Sequence, residues 1–144
     1  MNLTDHFTLE ELTRSSTATR LGIDNTPPAL IIPRLYVLAN GLEQIRALLG
    51  FPLHMDSGYR CPMLNAMVNG AKLSAHMDGY AGDFTCDAFG NPLSIVKAVQ
   101  ASEIKFDKII CEGTWVHVSF DPELRGQIMT AHFSDMGTTY SVGV

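Results

Sequence analysis

The run "SAHMDGYAGDF", residues 74 to 84, places His76, Asp78 and Asp83 around two glycines and holds no lysine or arginine. His76 and Asp83 are seven residues apart. That spacing does not fit one helix face, but a tight loop entering a strand can bring both side chains to one point. A second candidate is His117 in "CEGTWVHVSF", where it projects from an expected strand. Two imidazoles and one carboxylate suit a catalytic zinc ion, which takes three protein ligands and keeps a fourth position for water. Such an ion acidifies its water and polarises a carbonyl, so an acid close by must collect a proton. Glu112 is a candidate for that task. Each histidine also has a plainer reading, His76 as a hydrogen-bonded loop residue and His117 as a satisfied core residue. Residue type alone leaves both readings open.

The elements that would carry these groups can be read from pattern. Thr8 and Glu11 form a capping box for a helix over Leu9 to Thr13, followed by a polar loop that Pro27 and Pro28 close. Leu35, Leu38, Leu42, Ile45 and Leu49 recur at helical steps until Gly50 and Pro52 end the run. "LHMD" (53–56) reads as a strand, "PMLNAMV" as a short helix opened by Pro62, and "AGDFTC" as a strand. Asn91 and Pro92 start another helix, with Leu93, Val96 and Val99 on one face. "FDKIICE" and "WVHVSF" are strands joined tightly at Gly113. In the second, Trp115, His117 and Ser119 share one face, and Val116, Val118 and Phe120 the other. "GTTYSVGV" is an edge strand or a tail. The expected fold is α+β, a small, mainly antiparallel sheet with packed helices and the zinc site on the sheet face. One domain spans 1–144, with an N-terminal arm over 1–28 and a C-terminal extension over 121–144.

Composition narrows the function classes. A net charge of -5 and ten scattered Lys and Arg residues argue against nucleic-acid binding. No apolar run reaches membrane-span length, so no membrane insertion is expected. Cys61, Cys86 and Cys111 fit neither a disulfide framework nor a CxxC zinc site, and read as small buried hydrophobes in a reducing compartment. The start "MNLTDHFTLEEL" lacks signal-peptide character, so cytoplasmic synthesis is expected.

The ordered blocks Ser57-Gly58-Tyr59-Arg60 with Leu64-Asn65, then Ser74, His76, Gly79, Ala81 and Asp83, then Trp115 to Ser119 resemble a known family of zinc peptidases. That family includes D-Ala-D-Ala carboxypeptidases, the vancomycin-resistance D,D-dipeptidase and phage L-alanyl-D-glutamate endolysins. The likeness covers roughly residues 30 to 120 and is nearest to small phage and prophage members. It implies zinc held by His76, Asp83 and His117, which leaves Asp78 as a loop acid. Ser74 matches a substrate-binding position. Arg60 matches an arginine that faces the site, to stabilise an oxyanion or anchor a carboxylate rather than to make a merely structural salt bridge. Tyr59 and Trp115 are expected as walls of a substrate cleft.

One position departs from the family pattern. Many relatives carry the catalytic acid three residues before the last histidine, where this chain has Thr114; smaller members carry a glutamate slightly earlier, which Glu112 matches. Five residues along a regular strand put Glu112 opposite His117, so a turn or bulge at Gly113 must correct its direction. Without that bend, Asp121 or Asp56 would have to serve.

The implied function is hydrolysis of peptidoglycan stem peptides or cross-links by a monomer acting at the cell wall, after release or as part of a virion. A D-Ala carboxypeptidase and a non-catalytic, zinc-bearing wall-binding or phage structural module are the competing expectations.

Overall fold

The computed structural model describes residues 1–144. Five strands overlap expected segments: β1 (His54–Ser57), β2 (Ala81–Thr85), β3 (Lys108–Cys111), β4 (Val116–Ser119) and β6 (Gly137–Val142). A sixth, β5 (Gln127–Ser134), was not anticipated. Together they form one sheet in the order β1-β2-β4-β3-β5-β6, antiparallel throughout except for the parallel pair β3 and β5. The C-terminal stretch is therefore part of the sheet, and "GTTYSV" is its outer edge strand.

The helices form where caps and apolar spacing ask for them. In α1 (Leu9–Thr13) Thr8 accepts a hydrogen bond from the Glu11 N–H, and in α6 (Pro92–Gln100) Asn91 does the same for Ser94. The long helix α3 (Ile32–Leu49) buries Leu35, Leu38, Leu42, Ile45 and Leu49. Pro62 opens α4 (Pro62–Met67). Two further helices depart from the expectation of loops. Ser15 caps α2 (Ser16–Leu21), which ends at Gly22, and Ser74 caps α5 (Ala75–Asp78), which ends at Gly79. Both are too short to show an apolar period, so only their end signals were readable.

The sheet has two unlike faces. Phe84, Ile109, Val116 and Val118 point back and are fully buried, in one core with α3, α6 and Leu3, Phe7 and Leu12 of the N-terminal arm. This apolar burial is the main stabilising term, at about 25 cal/mol per Å². The other face carries Asp83, His117 and Ser119. No helix is long and apolar enough to cross a membrane. Cys61, Cys86 and Cys111 are unpaired, the last two buried.

Gly41 in α3 lies directly against the Phe120 ring, which is itself buried. Gly41→Ala gains about 1 kcal/mol of helix propensity but drives its methyl into three carbons of that ring, which puts the overpacking cost at the upper end, about 2–3 kcal/mol. The variant should melt about 3–6 °C lower; a midpoint at or above wild type in a thermal scan would show that Phe120 yields.

Candidate metal centre and cleft

The pairing register brings the chemistry-bearing residues together. Ser57 pairs with Asp83, Asp83 with His117, and His117 with Ile110. Paired residues share a face, so Asp83 and His117 project side by side from β2 and β4. His76 reaches the same point from α5, which is packed against β2. One ligand atom from each of His76, Asp83 and His117 lies within 4.8 Å of the others.

Both imidazoles aim at a single oxygen. His76 Nε2 is 3.2 Å and His117 Nδ1 3.0 Å from Asp83 Oδ1. The other nitrogen of His76, Nδ1, is 2.7 Å from the Gly58 carbonyl, which can only accept. The proton therefore sits on Nδ1, and a neutral His76 turns a bare lone pair toward the Asp83 carboxylate. Two acceptors at that separation repel unless a cation stands between them or the ring takes a second proton. A buried donor set of two imidazoles and a carboxylate fits a metal ion.

Asp83 is 7% exposed. Burial opposes its ionisation, but when the two rings are protonated the attraction and hydrogen bonds from His76 and His117 outweigh it and hold the carboxyl far below the ordinary range. Arg60 supports the other oxygen, with its NH2 group 3.4 Å from Asp83 Oδ2. Its Nε donates to Ser57 Oγ at 3.3 Å and its NH1 to Asn65 Oδ1 at 3.1 Å. Arg60 thus makes the salt bridge that the family reading set aside, and it also lines the cleft.

A cavity of about 440 Å³ opens over the three ligands, with Arg60, Ser74, Glu112, Trp115 and Ser119 also in its walls. Glu112 faces this cavity for a reason that counting along one strand misses. The chain reverses at Gly113, where φ is +79°, and the Glu112 N–H bonds to the Trp115 carbonyl at 3.0 Å. Glu112 thereby pairs with Trp115 and shares the face of Trp115 and His117. The correction is a hairpin rather than a bulge, and glycine permits its positive φ. Burial raises the Glu112 carboxyl above its ordinary value, a shift that His117 and Arg60 oppose and Asp83 reinforces. Thr114 sits exposed at the turn, outside the cavity walls. Asp121 lines the cavity, whereas Asp56 is exposed outside it near His54. Asp78 lies at the surface with Arg34 3.8 Å away, but as the last residue of α5 rather than as a loop acid.

Two expectations need adjustment. Tyr59 is no wall of the cleft: it is 4% exposed, packed in the core, and its N–H bonds to the Leu12 carbonyl at 2.8 Å. Arg60 turns to the cavity, so its neighbour goes to the other side. Ser74 does line the cavity, but its hydroxyl also accepts from the His76 N–H at 3.2 Å, which places the ligand helix.

The roles of two other residues emerge only from the structure. Asn65 is buried, holding Arg60 through Oδ1 and donating from Nδ2 to the Ala71 carbonyl at 2.9 Å. A mid-helix asparagine soon after "SGYRCP" was the available signal. Asn25 of the arm donates to the Tyr59 carbonyl at 3.0 Å and accepts from the Cys61 N–H at 2.8 Å, gripping the loop on both sides of Arg60. Nothing local in the sequence announces that role.

A sequence model of the Peptidase M15 family matches residues 5–119, well over half of the chain. The match stops at the end of β4, leaving β5 and β6 beyond it. No individually curated protein matches the chain significantly.

His76→Ala and His117→Ala should each lower bound metal more than about tenfold relative to wild type. His132→Ala, a change at an exposed histidine on β5, should leave it unchanged. Elemental analysis of the purified variants reads the difference, and equal loss in all three would dissociate the cluster from metal binding.

Proposed function

Because this chain belongs to the Peptidase M15 family, we propose that it is a zinc-dependent peptidase hydrolysing peptide bonds of bacterial peptidoglycan. The carrying observation is the placement of Glu112 in one cavity with His76, Asp83, His117 and Arg60. His76, Asp83 and His117 would hold the ion. When bound, zinc supplies Lewis acidity toward a carbonyl oxygen and lowers the pKa of water.

The remaining work falls to the chain's own groups. Glu112, ionised, takes the proton of the attacking water as the new C–O bond forms. The protonated carboxyl then delivers that proton to the amide nitrogen as the C–N bond breaks. Partial burial, which raises its pKa, suits a group that must both accept and release a proton near neutrality. Arg60, held by Ser57, Asn65 and Asp83, keeps Asp83 in place and presents fixed positive charge to the cavity, where an oxyanion would develop. Ser74 and Trp115 are positioned to contact the substrate.

Between peptidase subclasses, we favour an endopeptidase of stem peptides or cross-links over a carboxypeptidase. Mass spectrometry of products from purified sacculi separates the two, since shortened stems with intact cross-links would sink the endopeptidase reading. A wall-binding module without catalysis draws its sequence support from Thr114, and Glu112 in the cavity favours catalysis instead.

Glu112→Gln should keep its zinc and lose about 10²–10⁴-fold in kcat on sacculi; full activity would remove Glu112 from the mechanism. The pH profile supplies a second check. A general base is lost as pH falls through its pKa, and burial lifts that value above 4.5. The acid limb of kcat/KM should therefore lie above pH 4.5, and a limb at or below that value would contradict the assignment. Chelator should stop the clearing of permeabilised cells and added zinc should restore it.

A further inference from the structure

The β5–β6 hairpin lies outside the family match yet forms one bank of the cavity through Met129 and Tyr140. It is firmly placed. β5 pairs with β3 along four residues. In the connection before it, the Arg125 guanidinium donates to both oxygens of buried Asp107, at 2.9 and 2.8 Å. Phe133 of β5 packs on Trp115 with ring centroids 6.2 Å apart, so the hairpin touches the cleft wall.

The register shows which hairpin side chains look inward. His117 pairs with Ile110, Ile110 with Met129, and Met129 with Val142. Continuing by two residues, the row that starts from Trp115 and Glu112 runs through Ala131 to Tyr140, which pairs with Ala131. Glu112 and Tyr140 are thus two strands apart, about 10 Å between backbones, and only the methyl of Ala131 stands between them. Two long side chains can bridge that span above it. Ala131 is buried even though its neighbours on the hairpin are mostly exposed, as expected if Tyr140 and Phe133 close over it.

Of the two β5–β6 side chains that line the cavity, Met129 and Tyr140, only the phenol donates a hydrogen bond. Three of the five N–H groups of the Arg60 guanidinium are already engaged, on Ser57, Asn65 and Asp83, and Arg60 stands on the opposite bank. Glu112 and Asp83 are acceptors. A peptide laid across this site brings backbone carbonyl oxygens, which accept hydrogen bonds. The phenol can meet this need because its O–H is a donor at neutral pH.

We infer that the C-terminal hairpin completes the substrate cleft, and that Tyr140 donates a hydrogen bond to a backbone carbonyl of the bound peptide on the bank opposite Arg60. The inference rests on the peptidase reading for the nature of its ligand. Tyr140 is half exposed on an edge strand, so removing its hydroxyl leaves the fold intact.

The test compares Tyr140→Phe with Thr139→Ala, a change on the opposite face of β6, using a purified cross-linked muropeptide. Turnover is measured in the zinc-loaded protein. Binding is measured in the Glu112→Gln background through the fluorescence of Trp115, the sole tryptophan. Tyr140→Phe should lower kcat/KM by about tenfold or more, or weaken binding at least about threefold, with melting point and zinc content unchanged and Thr139→Ala silent. Cleavage and binding both indifferent to Tyr140→Phe would overturn the inference and leave the peptidase reading standing. Binding that depends on Tyr140 in a protein that cleaves nothing would uphold the inference and sink that reading. Neither binding nor cleavage would end both.

Discussion

The site depends on a buried carboxylate that is kept charged. Asp83 lies at the centre of the sheet face, where burial alone would favour its protonated form, and three cationic or cation-competent partners reverse that preference. Each partner is itself held. Gly58 fixes the His76 ring, β4 carries His117, and Ser57 with Asn65 fixes Arg60. Asn65 and Asn25 in turn tie the loops around Arg60 to residue 71 and to the N-terminal arm. The arm is remote from the cavity, but it belongs to the hydrogen-bonded support of the charge at its centre.

The same sheet separates stability from chemistry by side-chain alternation. Its back is an apolar surface against α3 and α6, and its front holds the polar and ionisable groups. Because paired residues share a face, antiparallel register turns distant positions into neighbours. Glu112 gains its place this way: a two-residue turn reverses the chain, so residues on either side of it line one surface. The family's acid position is vacated to Thr114 while the cavity keeps a carboxylate, because the hairpin ladder decides direction and sequence distance does not.

Much of this was legible in the residues. Capped or proline-opened helices at residues 9, 62 and 92, the long helix read from its apolar spacing, and five of the strands follow from local signals. The candidate ligand set follows from residue types in a family order. The misses have physical causes. α2 and α5 are too short for periodicity, and β5 follows a loop and pairs in parallel with a strand it does not neighbour in sequence. Tyr59 looked like a cleft aromatic beside Arg60, but adjacent side chains diverge, and Tyr59 is the one that enters the core.

By itself the sequence determined the ligand types, the apolar spacing that builds the core, and the turn residues that allow the chain to reverse. These are local properties of side chains and backbone, readable without partners. The tertiary structure decided that both imidazoles meet one Asp83 oxygen, that Glu112 faces them, that Tyr59 is buried, and that the last hairpin walls the cleft with Tyr140. Those outcomes depend on strand order and register, which are set by burying one face of the whole sheet at once, and no single segment encodes that condition.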